Sequence, residues 1–505
     1  MAILQKIYSH EPQRLAGRAG NTLITYGRLC SDIDGMAHWL LGDHGLKPGE
    51  RVSLHVKDPG NPDYWEWIMH LAAIRAGLVQ STDSLPAPLA TDPALPPYAA
   101  AIGHLDKLPD QAAPARKIAF APPGNAPLSE QIAIKPSGRS LDGLERHAGR
   151  LLSTSGTTGR PKGILWNAEL LDGRLEQVRA IGDIRPDTVI LTLLGMLTTT
   201  GLRYPIAAWQ IGATVLLTTI GEQRANLADL SGMSTFLATS PFRMQQILRL
   251  LPNEWPGKAN RTIELFGGRV PPLLRQKTLA HCCTALRMSY GATEVGRVAA
   301  GDAALVDRDS GAVGMVEPGI VVEIIGPDGN PCPAGQPGTV RMRSQYMARG
   351  YIGLAPEAAA ETPFRDGWFY PGDLGVLYED GLFAITGRTA ETINVSGAKI
   401  SPIPLEERIG ALPEVEDVCI LSLQMDASDI LAAATVCSDD VDLELLRRKM
   451  QPLVPRQFPF VVVRVTSIPR NAMGRIPRAQ VSRSLERSIR KNMGRRKAKT
   501  PTPQR

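Results

Sequence analysis

Apolar residues along the chain fall into two textures. Short unbroken apolar stretches of strand length stand at Val189–Leu194, Thr214–Thr218 and Val461–Val465. They alternate with longer amphipathic stretches, and no fixed-period repeat appears. Strands of this kind interleaved with helices predict an α/β architecture. Residues 85–127 break the pattern: they are rich in Pro and Ala (Pro86, Pro88, Pro93, Pro96, Pro97) and read as irregular surface structure with one strand near Ala99–Ile102.

The texture changes again after Gly387-Arg388. Glycine-rich strand-and-turn sequence gives way to the shorter pattern Ile403–Leu412, Val418–Leu423, Leu443–Met450 and Val461–Val465. Roughly a hundred residues in that order suit a small α+β domain. A chain of 505 residues also exceeds the size at which one hydrophobic core stops growing, so at least two domains are expected. The expected division is a large N-terminal α/β domain of several subdomains over residues 1–387, a hinge at 388–391, a small C-terminal α+β domain over 392–485, and a basic tail at 486–505.

Composition and charge narrow the function. The net charge of +6 comes from the end of the chain, where residues 483–505 hold nine Lys or Arg against Glu486, so the rest carries −2. The body therefore offers no broad basic face for nucleic acid, and Arg495-Arg496-Lys497-Ala498-Lys499 reads as a frayed, solvated end. Neither a secretory signal nor an apolar stretch long enough to span a membrane is evident. Cys30, Cys332, Cys419 and Cys437 stand alone and Cys282-Cys283 cannot chelate a metal by themselves, so the thiols read as structural and the setting as reduced and cytoplasmic. His70, His147 and His281 read as structural histidines, and Met196, Met233, Met244 and Met288 as core or pocket wall.

The densest chemical signal is Ser153-Thr154-Ser155-Gly156-Thr157-Thr158-Gly159-Arg160-Pro161-Lys162-Gly163, directly after apolar Leu151-Leu152. Backbone N–H groups and hydroxyls in such a loop can wrap phosphate oxygens, and Lys162 adds positive charge. The spacing differs from the common nucleotide loop, so the fold attached to that motif is not implied. Farther on, Tyr290 offers an aromatic face for a purine, Thr293 and Glu294 offer the oxygens that magnesium prefers, and Asp373 offers acceptors for vicinal ribose hydroxyls.

From about residue 20 to residue 480 the chain resembles the adenylate-forming superfamily of acyl- and aryl-CoA synthetases, adenylation domains and luciferases. The loop above is similar to its signature. Ser289-Tyr290-Gly291-Ala292-Thr293-Glu294 resembles its adenine and magnesium motif, Tyr370-Pro371-Gly372-Asp373 its ribose-binding aspartate, Gly387-Arg388 its interdomain arginine, and Gly267-Gly268-Arg269 the backbone that packs on adenine. The resemblance implies a large AMP-binding domain with a mobile small one, and ATP, Mg2+ and CoA as partners. It implies catalytic roles for Thr157, Lys162, Glu294 and Arg475, with Glu294 as metal ligand. For ATP or AMP it implies Thr154, Ser155, Gly156, Thr157, Thr158, Gly159 and Lys162, then Gly267, Gly268 and Arg269, then Ser289, Tyr290, Gly291, Ala292 and Thr293, with Asp373 and Arg388. An acyl pocket is expected around Thr198, Trp209, Ser240 and Phe242, and a CoA tunnel at Gly397 and Lys399.

Three positions depart from the family. Arg475, in Pro469-Arg470-Asn471-Ala472-Met473-Gly474-Arg475, occupies the place of the catalytic lysine, and a planar guanidinium fork does not substitute for a compact ammonium without change. Ala390 stands where a polar hinge residue is usual. In Leu193–Gly201 the gating histidine or aromatic is missing, and Thr198 is the nearest match. The expected reaction is activation of a small organic carboxylic acid as its adenylate, then transfer to CoA. An amine or a carrier protein is an alternative acceptor, and a binding relative that no longer adenylates is a further alternative, motivated by Arg475. The acid and the oligomeric state stay open at this level.

Overall fold

Two of the unbroken apolar stretches become strands buried on both faces, while Val461–Val465 overlaps the half-buried edge strand Phe460–Arg464. Val189–Thr192, Thr214–Leu217 and Phe236–Thr239 are interior almost throughout, as expected where helices cover a parallel sheet on both sides. The structure, a computed structural model, describes residues 3–56, 64–81, 95–96, 98–103, 108, 116–120, 127–128, 140–154, 162–181, 183–196, 198–217, 224–251, 254–309, 311–352, 362–395, 398–425, 428–455, 457–470, 476–478 and 480–486.

In the large sheet, six strands run parallel in the order Leu15–Ala19, Thr214–Leu217, Val189–Thr192, Phe236–Thr239, Thr262–Phe266, Ala285–Ala292. The direction then reverses: Gly296–Asp302 folds back on Ala285–Ala292, and Ala312–Val316, Leu382–Arg388, Asp373–Leu377 and Gly338–Ser344 continue antiparallel. Helices follow the parallel strands, notably Thr199–Ile211 after Val189–Thr192 and Pro241–Leu250 after Phe236–Thr239.

A second sheet of six strands collects Lys117–Ala119, Tyr98–Gly103, Arg51–His55, Val79–Ser81, Gly149–Thr154 and Lys162–Asn167. The strand expected near Ala99–Ile102 is its second member, joined by Lys117–Ala119, so the Pro-rich region carries more sheet than its composition suggests. The helix Tyr64–Arg75 is interior on nearly every side, which is why its sequence shows no polar stripe.

From residue 393 onward the chain builds separate sheets. Ile393–Val395 pairs with Ala398–Ile400, and Asp417–Met425, Ser428–Val436 and Phe460–Arg464 form a three-stranded sheet with the helices Pro402–Gly410 and Leu443–Met450. Val395, Leu405, Ile409, Ile420, Leu446 and Phe460 belong to one interior cluster there. This part touches the large sheet through Ser401, whose Oγ donates to the Thr386 carbonyl at 2.8 Å, and through an ion pair between Arg269 and Glu407. No helix among the described residues is long and apolar enough to cross a membrane, and all six cysteines are free thiols.

Candidate active site

The C-terminal ends of the parallel strands open onto one cleft of about 2290 Å3. Open α/β sheets bind ligands at that edge, where connections splay apart. Each strand end delivers a feature singled out in the sequence. Val189–Thr192 leads to Thr198, Phe236–Thr239 to Ser240 and Phe242, Thr262–Phe266 to Gly267-Gly268-Arg269, and Ala285–Ala292 carries Ser289-Tyr290-Gly291-Ala292 with Thr293-Glu294 beyond it. All of these line the cleft, together with Lys162, Asp373 and Arg388.

Local chemistry explains the turns. Thr198 and Ser240 are helix N-caps: Thr198 Oγ1 accepts from Gly201 N at 2.9 Å and Ser240 Oγ from Arg243 N at 3.2 Å, the usual use of a hydroxyl at that position. Gly267 has φ +79°, in the left-handed region. A Cβ at Gly291 would meet Gly296 O at 2.3 Å, so the hairpin bulge there needs glycine.

Tyr290, Asp373 and Arg388 form one unit. Asp373 and Arg388 are cross-strand partners, with Arg388 Nε 2.7 Å from Asp373 Oδ1. The Tyr290 hydroxyl donates to Asp373 Oδ2, and its ring meets Phe383 edge-on at 5.6 Å. Burial, with Asp373 second, holds the Tyr290 phenol well above its ordinary range, so it stays a donor. Two motifs far apart in sequence are thus in direct contact.

A second chain of contacts links the end of the hydroxyl-rich loop to Glu294. Lys162 Nζ lies 4.9 Å from the centre of the Tyr351 ring, and the Tyr351 hydroxyl donates to Glu294 Oε1 at 2.7 Å. Burial and then Glu294 raise the Tyr351 phenol far above its normal value. The Glu294 carbonyl is held by Arg174 Nη2 at 2.9 Å and by Ala348 N at 2.8 Å. Magnesium takes one or two carboxylates and completes its shell with phosphate oxygens and water. Glu294 supplies one such carboxylate in the cleft wall, and no group of three or more ligating side chains stands among the described residues. That donor set fits a metal carried in with a polyphosphate.

Beneath the cleft floor lies a buried polar network. Glu264, fully buried, accepts from the Tyr204 hydroxyl at 2.9 Å and from Ser289 Oγ, and Arg297 Nη1 stands 3.1 Å away. Arg297 also holds Glu317 at 2.9 Å. Of these, only Ser289 was singled out in the sequence. Arg203, Arg297 and Tyr351 also line the cleft and were missed. The available signal for Arg203 was a lone charge in the apolar helical stretch Leu202-Arg203-Tyr204-Pro205-Ile206.

Trp209 requires correction. It does not line the cleft: its indole N–H donates to Ala16 O at 2.9 Å, its ring packs edge-on against Trp67 at 5.3 Å, and it is 1 % exposed. It is core, because the helix turns that face toward the strand Leu15–Ala19. Arg269 lines the cleft but is paired with Glu407 of the C-terminal part, and burial pushes its guanidinium down to about 10. Ser155, Gly156, Thr157, Thr158, Gly159, Gly397 and Arg475 lie outside the described residues, as do the side chains of Thr154, Ala390 and Lys399.

The strand that feeds the hydroxyl-rich loop is anchored by Arg150. Its guanidinium donates to Met196 O at 2.6 Å and to Gln80 Oε1 at 3.3 Å. His70 Nδ1 lies 2.5 Å from the same Gln80 oxygen. Burial, with Arg150 second, pushes His70 down to about 3. A depressed histidine stays neutral when folded and takes up a proton when unfolded. Stability should therefore be full above about pH 6.5 and fall as pH drops toward 3, by about 2 kcal/mol at pH 5. Urea titrations of wild type and His70→Gln should show that slope flattened in the variant; equal slopes would exclude His70 as its source.

Comparison with known proteins supplies an independent view. Residues 150–352 match the model of the AMP-binding enzyme family. A feruloyl-CoA synthase of Amycolatopsis sp. is 27 % identical over 482 residues, covering 94 % of this chain and 96 % of that one. Among solved structures, ATP-bound MatB from Rhodopseudomonas palustris superposes with a TM-score of 0.77 at 21 % identity, covering 96 % of this chain and 98 % of that one. The amide bond synthetase McbA from Marinactinospora thermotolerans gives 0.75 at 20 % identity, with 96 % and 99 % covered.

Proposed function

We propose that this chain, whose residues 150–352 match the AMP-binding enzyme family and which is similar over nearly its whole length to a feruloyl-CoA synthase, is an adenylate-forming enzyme that activates a small organic carboxylic acid with ATP and passes the acyl group to CoA. One observation carries the reading: Lys162, Tyr290, Glu294, Asp373 and Arg388 line a single cleft at the C-terminal edge of a parallel sheet.

In the first half-reaction a carboxylate oxygen attacks the α-phosphorus of ATP. The bond to pyrophosphate breaks, and its electron pair leaves with pyrophosphate. In the second, the CoA thiol attacks the acyl carbonyl, AMP departs, and the thiol proton is lost to solvent. The protein contributes position and charge. Asp373, oriented by Tyr290 and Arg388, is assigned the ribose hydroxyls. Lys162 and the hydroxyls of Thr154 and Thr157 are assigned the phosphates, and Gly267-Gly268 the adenine. Glu294, fixed by Tyr351 and Arg174, would hold magnesium, which supplies charge neutralisation on the phosphates when bound. Arg475 is assigned the cationic role of the missing lysine, and residues 392–485 the mobile lobe, turning about 388–391.

The test is pyrophosphate release across a panel of carboxylic acids, with CoA and with an amine offered in competition. Acid-dependent release with CoA thioester as the main product is expected. Amide as the main product would move the second half-reaction to an amine acceptor, and ATP binding without release for any acid would refute the enzyme reading.

A further inference from the structure

Among the described residues, Arg203 is the arginine beside this network that has no carboxylate in ion-pair distance, whereas Arg297 has two. It sits on the helix Thr199–Ile211, is 7 % exposed, and lines the cleft. Its Nε donates to Thr199 O of its own helix at 3.1 Å. Among the described residues no carboxylate reaches it within ion-pair distance. Glu264 acts on Arg203 only through space, and its oxygens already serve Tyr204, Ser289 and Arg297. Glu317 is held by Arg297.

A guanidinium held in a cleft wall with a backbone carbonyl but no carboxylate is costly, and an apolar side chain of similar volume would cost less. The cost is understandable where a ligand brings the counter-charge. The wall beside it is made of rings: Tyr204 meets Phe266, another cleft residue, edge-on at 5.1 Å. Such a wall suits the organic body of an acid rather than a polyphosphate. The planar fork of arginine also matches a carboxylate with two parallel hydrogen bonds.

We propose that Arg203 binds a second carboxylate on the acid substrate, so that the preferred substrates are dicarboxylic acids activated at the carboxylate far from Arg203. The inference deepens the proposed function and rests on it. The probes are succinate, glutarate and the benzenedicarboxylates, each paired with its monoamide, which keeps the shape and removes one charge. Two readouts are needed, pyrophosphate release and the rise in melting temperature on adding each acid in the presence of AMP.

Wild type should prefer each well-fitting diacid over its monoamide by at least tenfold in kcat/KM. Arg203→Met should lower the diacid value about 10- to 100-fold, as expected for a hydrogen bond to a charged group, while ATP affinity holds. Arg203→Lys should recover part of the diacid preference. Monoamides used as well as diacids, with normal pyrophosphate release, would overturn the inference and leave the enzyme reading standing. No release from any acid, but diacid-specific stabilisation lost in Arg203→Met, would overturn the enzyme reading and the activation of diacids with it, and keep only the contact of Arg203 with a carboxylate. If Arg203→Met weakens ATP binding and treats both acid classes alike, the guanidinium serves phosphate and the inference fails. The wild-type comparison decides the matter even if the methionine variant does not fold.

Discussion

Glu264→Ala is expected to destabilise the protein by about 3–5 kcal/mol, the usual result of removing one partner from a buried charge pair. Glu264 joins three elements: Tyr204 on the helix Thr199–Ile211, Ser289 on the strand Ala285–Ala292, and Arg297 on Gly296–Asp302. Its loss leaves the Tyr204 and Ser289 hydroxyls without their acceptor and leaves Arg297, 7 % exposed, with Glu317 alone. Glu264→Gln should cost less, since an amide oxygen still accepts from one hydroxyl. The double variant Glu264→Leu/Arg297→Met should regain part of the loss, because apolar replacement of both charges is often neutral. The midpoint of urea unfolding measures all three. A Glu264→Ala midpoint equal to wild type would show that the network contributes nothing to stability. Because Ser289 lies beside Tyr290, the same variant should also weaken nucleotide binding.

That network shows which parts of the protein were legible in the sequence. The strands at 189–194 and 214–218 could be read because burial on both faces writes itself locally as an unbroken apolar stretch, and the half-buried edge strand Phe460–Arg464 could be read from its run of β-branched valines. The cleft motifs could be read for a similar reason: Gly267-Gly268-Arg269 and Ser289–Glu294 are contiguous, and each sits at one strand end. Contacts between distant positions left no such local mark. Nothing in the sequence ties Glu264 to Arg297, or Lys162 to Tyr351 and Glu294, because strand order and register decide those pairings. Trp209 misled because an aromatic residue on a helix beside a pocket can face either side. The face was decided by Ala16 O, a partner nearly two hundred residues away in sequence. The Arg269–Glu407 pair escaped for the same reason: glycine-rich context marked Arg269 as a nucleotide residue, while its partner comes from the C-terminal part.

Arg475→Ala should slow acid-dependent pyrophosphate release by about 10²–10³-fold, the range for removing one preorganised group that stabilises developing charge. ATP affinity should change little, since the contact is assigned to the moment when charge moves toward pyrophosphate. Arg475→Lys should preserve or raise the rate if the remaining site suits an ammonium. The second half-reaction, started from pre-made acyl-adenylate and CoA, should be nearly indifferent to both changes, because the proposed turn of the small lobe takes this residue away from the acyl group. Should Arg475→Ala match wild type in pyrophosphate release, another cation must do the work. Arg478 is poorly placed to take it over: its guanidinium is committed to both carboxylate oxygens of Glu406 and to the Ile420 carbonyl at 3.2 Å. Moving it would strand Glu406, whose carboxyl burial already raises above its ordinary value. Lys162 is the better substitute, since it lines the cleft beside Tyr351 and Glu294. Lys162→Ala in the Arg475→Ala background should then abolish release, and persistence of release in that double variant would exclude both cations.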